Sequence, residues 1–279
     1  MSLRSAVSVR DALDGALTAI AAAGSASPRL DAELLLADAL HTTREWLYSA
    51  PEAGVDGPAV RTFQSHVRRR AVDREPVAYI LGRRAFRRLE LHVDRRVLIP
   101  RPESELLVEL ALELAPGSRV LDCATGSGAI ALAIKDERPD LVLTGADVDA
   151  GALAVAAANA ARLQLDVSWR HADLLEGLGG EFDAIVSNPP YVAAGGIAAL
   201  EPEITRHEPR IALDGGPTGT EVIERLIGEA AATSAATLIL EHGDGQDVVL
   251  AQRCRAAGFG EVRHHHDLAG VRRAITARR

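Results

Sequence analysis

From Arg119 onward the chain alternates predicted strands with predicted helices, and this pattern constrains the fold more than any other feature. Short apolar runs typical of buried strands are separated by segments with the periodicity of amphipathic helices. Parallel strands joined by helices form a doubly wound sheet that is covered on both faces. We therefore predict an α/β fold. The predicted strands are 119–123, 142–147, 166–170, 182–187, 237–242, 261–266 and 271–276, and the predicted helices are 129–137, 150–163, 219–232 and 245–257.

A helical segment precedes this alternation. Apolar residues recur at spacings of three and four from Val9 to Ile20, and similar patterns continue to about residue 74. They predict a small helical bundle that can bury little core by itself. Over 76–99 the apolar residues alternate roughly with a period of two, which predicts a β-hairpin or a short extended connector. The predicted domains are a helical domain over 1–75, a hairpin connector over 76–100 and the α/β domain over 101–279.

Composition narrows the class of protein. With 47% hydrophobic and 25% charged residues, the 279-residue chain is typical of a globular protein, and it has no run of the roughly 18 to 20 apolar residues that a membrane span needs. Its N-terminus lacks the pattern of a secretory signal, and two cysteines cannot form a disulfide framework, so we expect a cytoplasmic location. The net charge of −8 argues against a general nucleic-acid binder. Residues 1–101 nevertheless hold 16 arginines against 12 acidic residues.

A glycine-containing loop joins the first strand of the alternation to the first helix. Its residues are Ala124, Thr125, Gly126, Ser127 and Gly128. Glycine permits a tight turn in which a ligand can touch the backbone, and a helix N-terminus offers free N–H groups to an anionic ligand. Residues 126–131 also match the G-x-G-x-x-A pattern of nicotinamide sites. The loop alone therefore fits a nicotinamide cofactor, S-adenosylmethionine or a simple tight turn.

Acidic residues follow the next two strands. Asp147 ends the second strand, 19 residues after Gly128, where its carboxylate can accept two hydrogen bonds from a ribose diol. Nicotinamide and S-adenosylmethionine sites both use that geometry, so Asp147 indicates an adenosine-type ligand. Asp149 is assigned instead as the N-cap of the following helix. Asp173, with Leu174 beside it, follows the third strand and could accept from an adenine amino group or remain a solvated loop acid.

The motif that distinguishes these ligands follows the fourth strand. It consists of Asn188, Pro189, Pro190 and Tyr191. Two consecutive prolines fix the backbone and remove two N–H donors, so their carbonyls remain free to accept. Asn188 adds an acceptor oxygen and Tyr191 a flat face. At the carboxyl end of a strand, where doubly wound sheets bind ligands, this set suits the binding of a planar –NH2 group by both hydrogens.

The N-P-P-Y motif resembles that of amino methyltransferases that use S-adenosylmethionine. Several other segments are similar to those of the HemK/PrmC family, and together they span nearly the whole chain. They are Glu75–Gly82, Phe86, Leu98–Glu105, Glu208–Leu213, Leu240–Gly243 with Gln246, and Asp267–Gly270. The family usually has glycine where this chain has Ala124 and an aliphatic residue where it has Cys123.

The resemblance implies a specific activity and fold. It implies a seven-stranded class I methyltransferase fold, S-adenosylmethionine as cofactor, and a substrate-binding role for the helical domain. The substrate it implies is the glutamine of the Gly-Gly-Gln motif in class I peptide chain release factors. It also implies that Arg101 and Pro102 line the catalytic pocket, and that the methyl group of Ala124 crowds the methionine end of the cofactor and weakens its binding.

Residues and resemblance together suggest catalysis by positioning. Asn188 Oδ1 and the Pro189 carbonyl would each accept one N–H of the substrate amide and aim its nitrogen at the methyl group. The cofactor-binding set is then residues 124–128 with Asp147, Asp173, Leu174 and Asn188, and the catalytic set is residues 188–191. We predict no metal site, because consecutive histidines 264–266 on a strand point to opposite faces. No oligomer signature is present, so a monomer is the default.

Two other functions remain open from the sequence. An N6-adenine nucleic-acid methyltransferase would carry the same N-P-P-Y motif, but the chain lacks an evident target-recognition region. A non-catalytic dinucleotide-binding or scaffold protein would share the glycine loop. Binding of S-adenosylmethionine rather than nicotinamides would exclude the last possibility.

Overall fold

A computed structural model of the chain describes residues 7–179 and 181–279. These residues form two compact units. The first comprises the described residues up to Gly82 together with 201–207, and the second comprises 83–200 and 208–279 apart from residue 180. The boundary after Gly82 falls inside the predicted hairpin connector, 76–100. The assignment of a function to each domain stays a prediction. The inclusion of 201–207 in the first unit had no signal in the sequence pattern.

The elements are numbered in chain order. The helices are α1 (Val9–Ala22), α2 (Pro28–Ala39), α3 (Arg44–Ser49), α4 (Gly57–Ala71), α5 (Val77–Leu81), α6 (Glu105–Ala111), α7 (Ala129–Glu137), α8 (Ala150–Leu163), α9 (Pro202–His207), α10 (Glu221–Ala231) and α11 (Asp247–Ala256). The strands are β1 (Val7–Ser8), β2 (Gly54–Val55), β3 (Arg83–Phe86), β4 (Leu89–His92), β5 (Arg119–Cys123), β6 (Val142–Asp147), β7 (Ser168–His171), β8 (Ala184–Ser187), β9 (Thr237–Glu241), β10 (Glu261–His266) and β11 (Arg272–Arg278). Single 3-10 turns cover Pro102–Ser104, Ile197–Ala199 and Arg210–Ala212.

The first unit is the predicted helical bundle. One buried apolar cluster joins α1, α2, α4 and α5, with Ile20, Leu35 and Phe63 among its members. The extended structure predicted for residues 79–82 is wrong, because residues 77–81 form α5. Pro76 precedes this helix and Gly82 ends it with a left-handed φ of 69°, a conformation that glycine adopts without steric cost. The hairpin itself is confined to β3 and β4, which pair antiparallel.

The seven-stranded sheet of the second unit has the order β10-β11-β9-β8-β5-β6-β7. Strands β9, β8, β5, β6 and β7 are parallel, and β11 runs antiparallel between β9 and β10. The predicted bounds of β5, β6, β10, α7 and α8 agree with the observed ones. The prediction of a doubly wound, seven-stranded α/β sheet is therefore confirmed.

Alternate residues of β5, β6, β8, β9 and β11 enter two separate cores. On β8, Val186 packs in the cluster that contains residues of α6 and α7, whereas Ile185 packs in the cluster that contains residues of α10 and α11. Neighbouring residues on a strand point to opposite faces, so both faces of the sheet are buried. This is why the central strands β8 and β9 appear in the sequence as nearly continuous apolar runs, whereas the edge strands β7 and β10 are mostly polar.

The strand order reverses at β5. The chain passes from β5 through β6 to β7 on one side, and then returns to β8 on the other side of β5. Loops that leave the carboxyl ends of β5 and β8 therefore diverge and open a crevice, which is the usual ligand site of such sheets. The glycine loop follows β5 and the N-P-P-Y motif follows β8, so both lie at this crevice.

Candidate active site

A cavity of about 420 Å³ opens at the carboxyl ends of β5, β6 and β8. We call it the strand-end cavity. Its volume lies within the roughly 300 to 1,000 Å³ that is usual for small-molecule sites. Its lining comprises residues of the second unit only. They come from the glycine loop, the ends of β6 and β7, the first turn of α8, the segment 96–98, the N-P-P-Y motif and the segment 209–225.

Three residues of the glycine loop have a left-handed backbone conformation. Ala124, Gly126 and Gly128 have φ values of 57°, 56° and 81°. Only glycine adopts this region freely, so Ala124 is strained where Gly126 and Gly128 are not. Gly128 is also needed for space, because a Cβ there would lie 2.9 Å from the ring of Trp169.

Asp122 anchors the glycine loop from behind. Its Oδ2 accepts hydrogen bonds from Thr125 Oγ1 at 2.6 Å and from the Ala131 backbone N–H at 3.1 Å, and the side chain is fully buried. Burial raises the pKa of Asp122 to about 7, against the opposing effect of these hydrogen bonds. The predicted site does not include Asp122, although an acidic residue inside an otherwise apolar strand is a signal for such a role.

Asp147 lies at the cavity wall, where its carboxylate joins β6 to the glycine loop. Oδ2 accepts from the Gly126 backbone N–H and Oδ1 from the Asp149 backbone N–H, both at 2.9 Å. Each oxygen retains a lone pair that can accept from a ligand. Burial raises the pKa of Asp147, and the backbone hydrogen bonds oppose that rise. Asp149 caps α8 by accepting from the Gly151 N–H, as predicted.

Asp173 also lines the cavity but has a partner that the sequence did not indicate. Its carboxylate forms a hydrogen-bonded ion pair with Arg225, which follows the first turn of α10. Leu174, beside it, is buried and lines the same wall. An adenine amino group would therefore share Asp173 with a guanidinium.

The loop that carries the N-P-P-Y motif is held from several sides. Gln246 Nε2 donates to the Tyr191 carbonyl at 3.0 Å, and the Val192 N–H donates to the Leu213 carbonyl at 2.9 Å. Gly215 packs so closely that a Cβ there would lie 2.8 Å from the Pro190 carbonyl oxygen. Among the described residues, none donates a hydrogen bond to the Pro189 carbonyl. These contacts hold the loop of the N-P-P-Y motif in one conformation.

Asn188 is oriented by a neighbour outside its own loop. Its Nδ2 donates to Ser104 Oγ at 2.8 Å, and Ser104 Oγ donates to Glu241 Oε2 at 2.6 Å. Tyr191 donates from its hydroxyl to Glu241 Oε1 at 3.2 Å. Burial raises the pKa of Tyr191, and the carboxylate of Glu241 adds to the effect. Two residues of the predicted catalytic set are thus tied to one buried carboxylate.

The structure brings most predicted site residues together, though not all of them face the cavity. Those that line it are Ala124, Gly126, Asp147, Asp173, Leu174, Asn188 and Pro190. Thr125 and Ser127 are buried behind the loop, where the Ser127 carbonyl accepts from Asn159 Nδ2. Gly128, Pro189 and Tyr191 are likewise outside the lining. The assignment of these residues as a catalytic and cofactor-binding set stays a prediction.

Arg101 and Pro102 do not line the strand-end cavity, contrary to what the resemblance implied. The cavity is instead bordered by residues 96–98. The guanidinium of Arg101 binds both carboxylate oxygens of Glu208 at 2.7 Å, and this carboxylate is buried. Ser104, Glu208 and Glu241 fall in segments that resemble the family, but the sequence pattern does not indicate their contacts, because each partner lies far along the chain.

Acidic side chains predominate in the lining. Asp147, Asp149, Asp173, Asp214 and Glu221 line the cavity, against Arg96 and Arg225. Both arginines are already paired, Arg96 with Asp94 and Arg225 with Asp173. The surplus of carboxylates favours a ligand that carries positive charge.

Two family models match different parts of this chain, and whole proteins match it over most of its length. Residues 11–82 match the family model described as PrmC N-terminal domain, and residues 102–216 match the model described as methyltransferase small domain. The release factor glutamine methyltransferase of Caulobacter vibrioides is 39% identical over 261 residues, which cover 91% of this chain and 90% of that protein. That of Deinococcus radiodurans is 40% identical over 279 residues, covering 97% and 98%.

The chain belongs to the release factor glutamine methyltransferase family. The resemblance to the HemK/PrmC family inferred from the motifs is thereby confirmed. A solved 16S rRNA methyltransferase from T. thermophilus, in complex with AdoMet and guanosine, is similar with a TM-score of 0.50 and 21% identity, over 71% of this chain and 49% of that one. This likeness and the strand order support the class I methyltransferase fold of the family member. No helix in the described part of the chain is long and apolar enough to cross a membrane.

Proposed function

We propose that this family member transfers a methyl group from S-adenosylmethionine to the side-chain amide nitrogen of the glutamine in the Gly-Gly-Gln motif of class I release factors. The observation that carries the proposal is the position of Asn188 and Pro190 in the same cavity as Asp147 and the glycine loop. One cavity thus combines the Asn188 side chain, which has an acceptor suited to a planar amide, with a carboxylate suited to a ribose. The names of the relatives support the choice of substrate.

The residues of the strand-end cavity fit S-adenosylmethionine. Asp147 has lone pairs left for a ribose diol, the glycine loop exposes backbone, and the carboxylates of the lining suit a sulfonium and an ammonium group. Residues 124–128, Asp147, Asp173 with Leu174, and Asn188 would hold it. When bound, S-adenosylmethionine supplies an electrophilic methyl group.

The chain's own contribution to the reaction is orientation. An amide nitrogen is a poor nucleophile because its lone pair is delocalised, so the barrier depends on alignment, which can supply roughly 7 to 11 kcal/mol. Asn188 Oδ1 and the Pro189 carbonyl each accept one N–H of the substrate amide. The substrate nitrogen held by these acceptors would receive the methyl group that the cofactor supplies, and one proton would leave the nitrogen for solvent. No strong base is required, because alkylation makes that proton acidic.

The helical unit is proposed to bind the release factor, and the chain is proposed to act as a monomer in the cytoplasm without binding nucleic acid directly. Both cysteines are free thiols buried in apolar surroundings, which fits a reducing compartment. Burial raises the pKa of Cys123, and that of Cys254 to about 11, so neither is a thiolate nucleophile at neutral pH.

The test uses S-adenosylmethionine with a labelled methyl group. The full chain is incubated with a class I release factor, with the same factor carrying Gln→Ala in the Gly-Gly-Gln motif, and with adenine-containing DNA and RNA. We expect label on the intact release factor only. Label on the Gln→Ala factor would reject the proposed site, and label on neither factor would reject the proposed substrate. Label on adenine would instead support the nucleic-acid methyltransferase.

A further inference from the structure

Behind Asn188, three hydrogen bonds link side chains that are distant in sequence. We call this hydrogen-bond network the Asn188 relay. Asn188 Nδ2 donates to Ser104 Oγ, Ser104 Oγ donates to Glu241 Oε2, and the Tyr191 hydroxyl donates to Glu241 Oε1. Ser104 is 3% exposed and Glu241 is 1% exposed. Water therefore does not replace these partners, and their donor and acceptor roles depend on one another.

The ionised carboxylate of Glu241 determines which group donates and which accepts in each hydrogen bond of the relay. An ionised carboxylate only accepts, so the single proton of the Ser104 hydroxyl is committed to Glu241. The Ser104 oxygen can then only accept from Asn188, which requires the –NH2 end of the Asn188 amide to face Ser104. The amide oxygen becomes the free polar atom of a side chain that lines the strand-end cavity.

We propose that Ser104 and Glu241 are positioning residues that fix the Asn188 amide with its oxygen available to the substrate amide. The inference deepens the proposed function and rests on it for the identity of the substrate. The opposite orientation of Asn188 would bring two oxygens together at Ser104 and would present an –NH2 group to the substrate –NH2, where two donors repel. The two orientations of the Asn188 amide differ only by exchange of its oxygen and its –NH2 group. The relay thus selects the orientation that can accept from the substrate.

Protonation of Glu241 would exchange the donor and acceptor roles along the relay. Burial raises the pKa of Glu241 to about 7, while the hydrogen bonds from Ser104 and Tyr191 oppose the rise. Among charged groups, Glu103 raises this pKa further and Arg273, on β11, lowers it. A protonated Glu241 can donate to Ser104, which frees the Ser104 proton for the Asn188 oxygen and turns the amide. Turnover should therefore fall as pH drops below about 7.

The experiment compares the full chain with Ser104→Ala, Ser104→Thr and Glu241→Gln, with Ser118→Ala as control. Ser118 is also largely buried and donates to a carbonyl, but it lies outside the cavity. We expect wild-type kcat to fall about tenfold per pH unit below pH 7, as for one protonation. Ser104→Ala should lower kcat about tenfold at pH 8, keep the cofactor Kd within about twofold and lose this pH dependence, as expected for loss of one positioning hydrogen bond. Glu241→Gln should also lose the pH dependence. Ser104→Thr and Ser118→Ala should keep the wild-type kcat at pH 8 and the wild-type pH dependence.

A second readout needs no substrate. In the free protein, the side-chain –NH2 resonances of Asn188 should shift with a midpoint near pH 7 in wild type and remain constant in Glu241→Gln. Constant resonances in wild type, or a Ser104→Ala enzyme with wild-type kcat and pH profile, would overturn the relay. A parallel loss of cofactor affinity in Ser104→Ala would show a merely structural role. Failure of the wild type to label a release factor would reject the proposed function, while the resonance titration would still decide the relay.

Discussion

The carboxylate of Asp147 accepts a hydrogen bond from the Gly126 backbone N–H at 2.9 Å and so joins the end of β6 to the glycine loop after β5. Because the same carboxylate faces the strand-end cavity, its removal should both loosen the loop and delete an acceptor for the ribose diol. We expect Asp147→Ala to weaken S-adenosylmethionine binding about 10-fold or more, since hydrogen bonds to a charged group contribute about 1.5 to 3 kcal/mol. Isothermal titration calorimetry measures the change.

A matched control for this prediction is Asp166→Ala, which removes an exposed aspartate outside the cavity. Its affinity should equal that of the wild type. If Asp147→Ala binds the cofactor as tightly as Asp166→Ala does, then Asp147 does not bind the ribose.

Replacement of Asn188 should separate binding from turnover. Asn188→Ala removes the oxygen that accepts from the substrate amide, and misplacement of a reacting group by about 1 Å can cost about 100-fold. We expect kcat to fall by about that factor or more, while cofactor affinity stays largely intact, because Asp147 and the glycine loop supply most of the proposed cofactor contacts. Gln252→Ala, which truncates an exposed amide on α11, should retain full activity. A folded Asn188→Ala enzyme with normal kcat would contradict the role assigned to this residue.

Much of the second unit could be predicted from the sequence because its signals are local. Buried strands appear as apolar runs and helices as 3.6-residue periods, so β5, β6, α7 and α8 were placed to the residue. The glycine loop and the N-P-P-Y motif were placed at the cavity because strand order brings the carboxyl ends of β5 and β8 together.

The missed features depend on contacts between residues far apart in the chain. The Ser104–Glu241 hydrogen bond joins residues separated by 137 positions, and no periodic pattern encodes it. The arginines 68–70 appear as one charged run, yet Arg70 alone is buried, between Asp31 and Glu203. The extended structure predicted for residues 79–82 was wrong because α5 has only five residues, too few to show a helical period in the sequence.

Ala124 offers a test of strain in the glycine loop. It holds a φ of 57°, and a left-handed conformation costs an L-residue about 1 to 2 kcal/mol relative to glycine. Ala124→Gly should raise the free energy of unfolding by ~0.5–1 kcal/mol, after allowance for the greater freedom of glycine in the unfolded chain. It should also tighten cofactor binding, because the Ala124 side chain lines the cavity.

The reciprocal variant is Gly117→Ala, at a φ of 75° with open space around the added Cβ and outside the cavity. It should destabilise the protein by about 1 kcal/mol without changing cofactor affinity. Urea unfolding and calorimetry measure the two effects separately. An Ala124→Gly protein that is less stable than wild type would show that the loop is not strained.

The first unit should lose stability in acid through Glu203. Its side chain is 11% exposed, and its carboxylate pairs with Arg70 at 2.5 Å and with Arg74 at 2.7 Å. Burial opposes ionisation, but hydrogen bonds from Arg74 and Arg70 outweigh it and lower the pKa of Glu203 to about 2. A lowered pKa stabilises the fold above the unfolded value of about 4.3, and this stabilisation is lost as pH falls toward 2. Acid should therefore weaken this unit over that range.

Glu203→Gln isolates this contribution. Because removal of one partner of a buried ion pair costs about 3 to 5 kcal/mol, we expect a loss of that size at pH 7, measured by urea unfolding. The difference from wild type should shrink as pH falls from about 4.3 toward 2, because protonated Glu203 then resembles glutamine. Glu52→Gln removes an exposed partner of Arg10 and should change stability by less than about 1 kcal/mol at every pH. A Glu203→Gln effect as small as that of Glu52→Gln would mean that the buried arginines do not need this carboxylate.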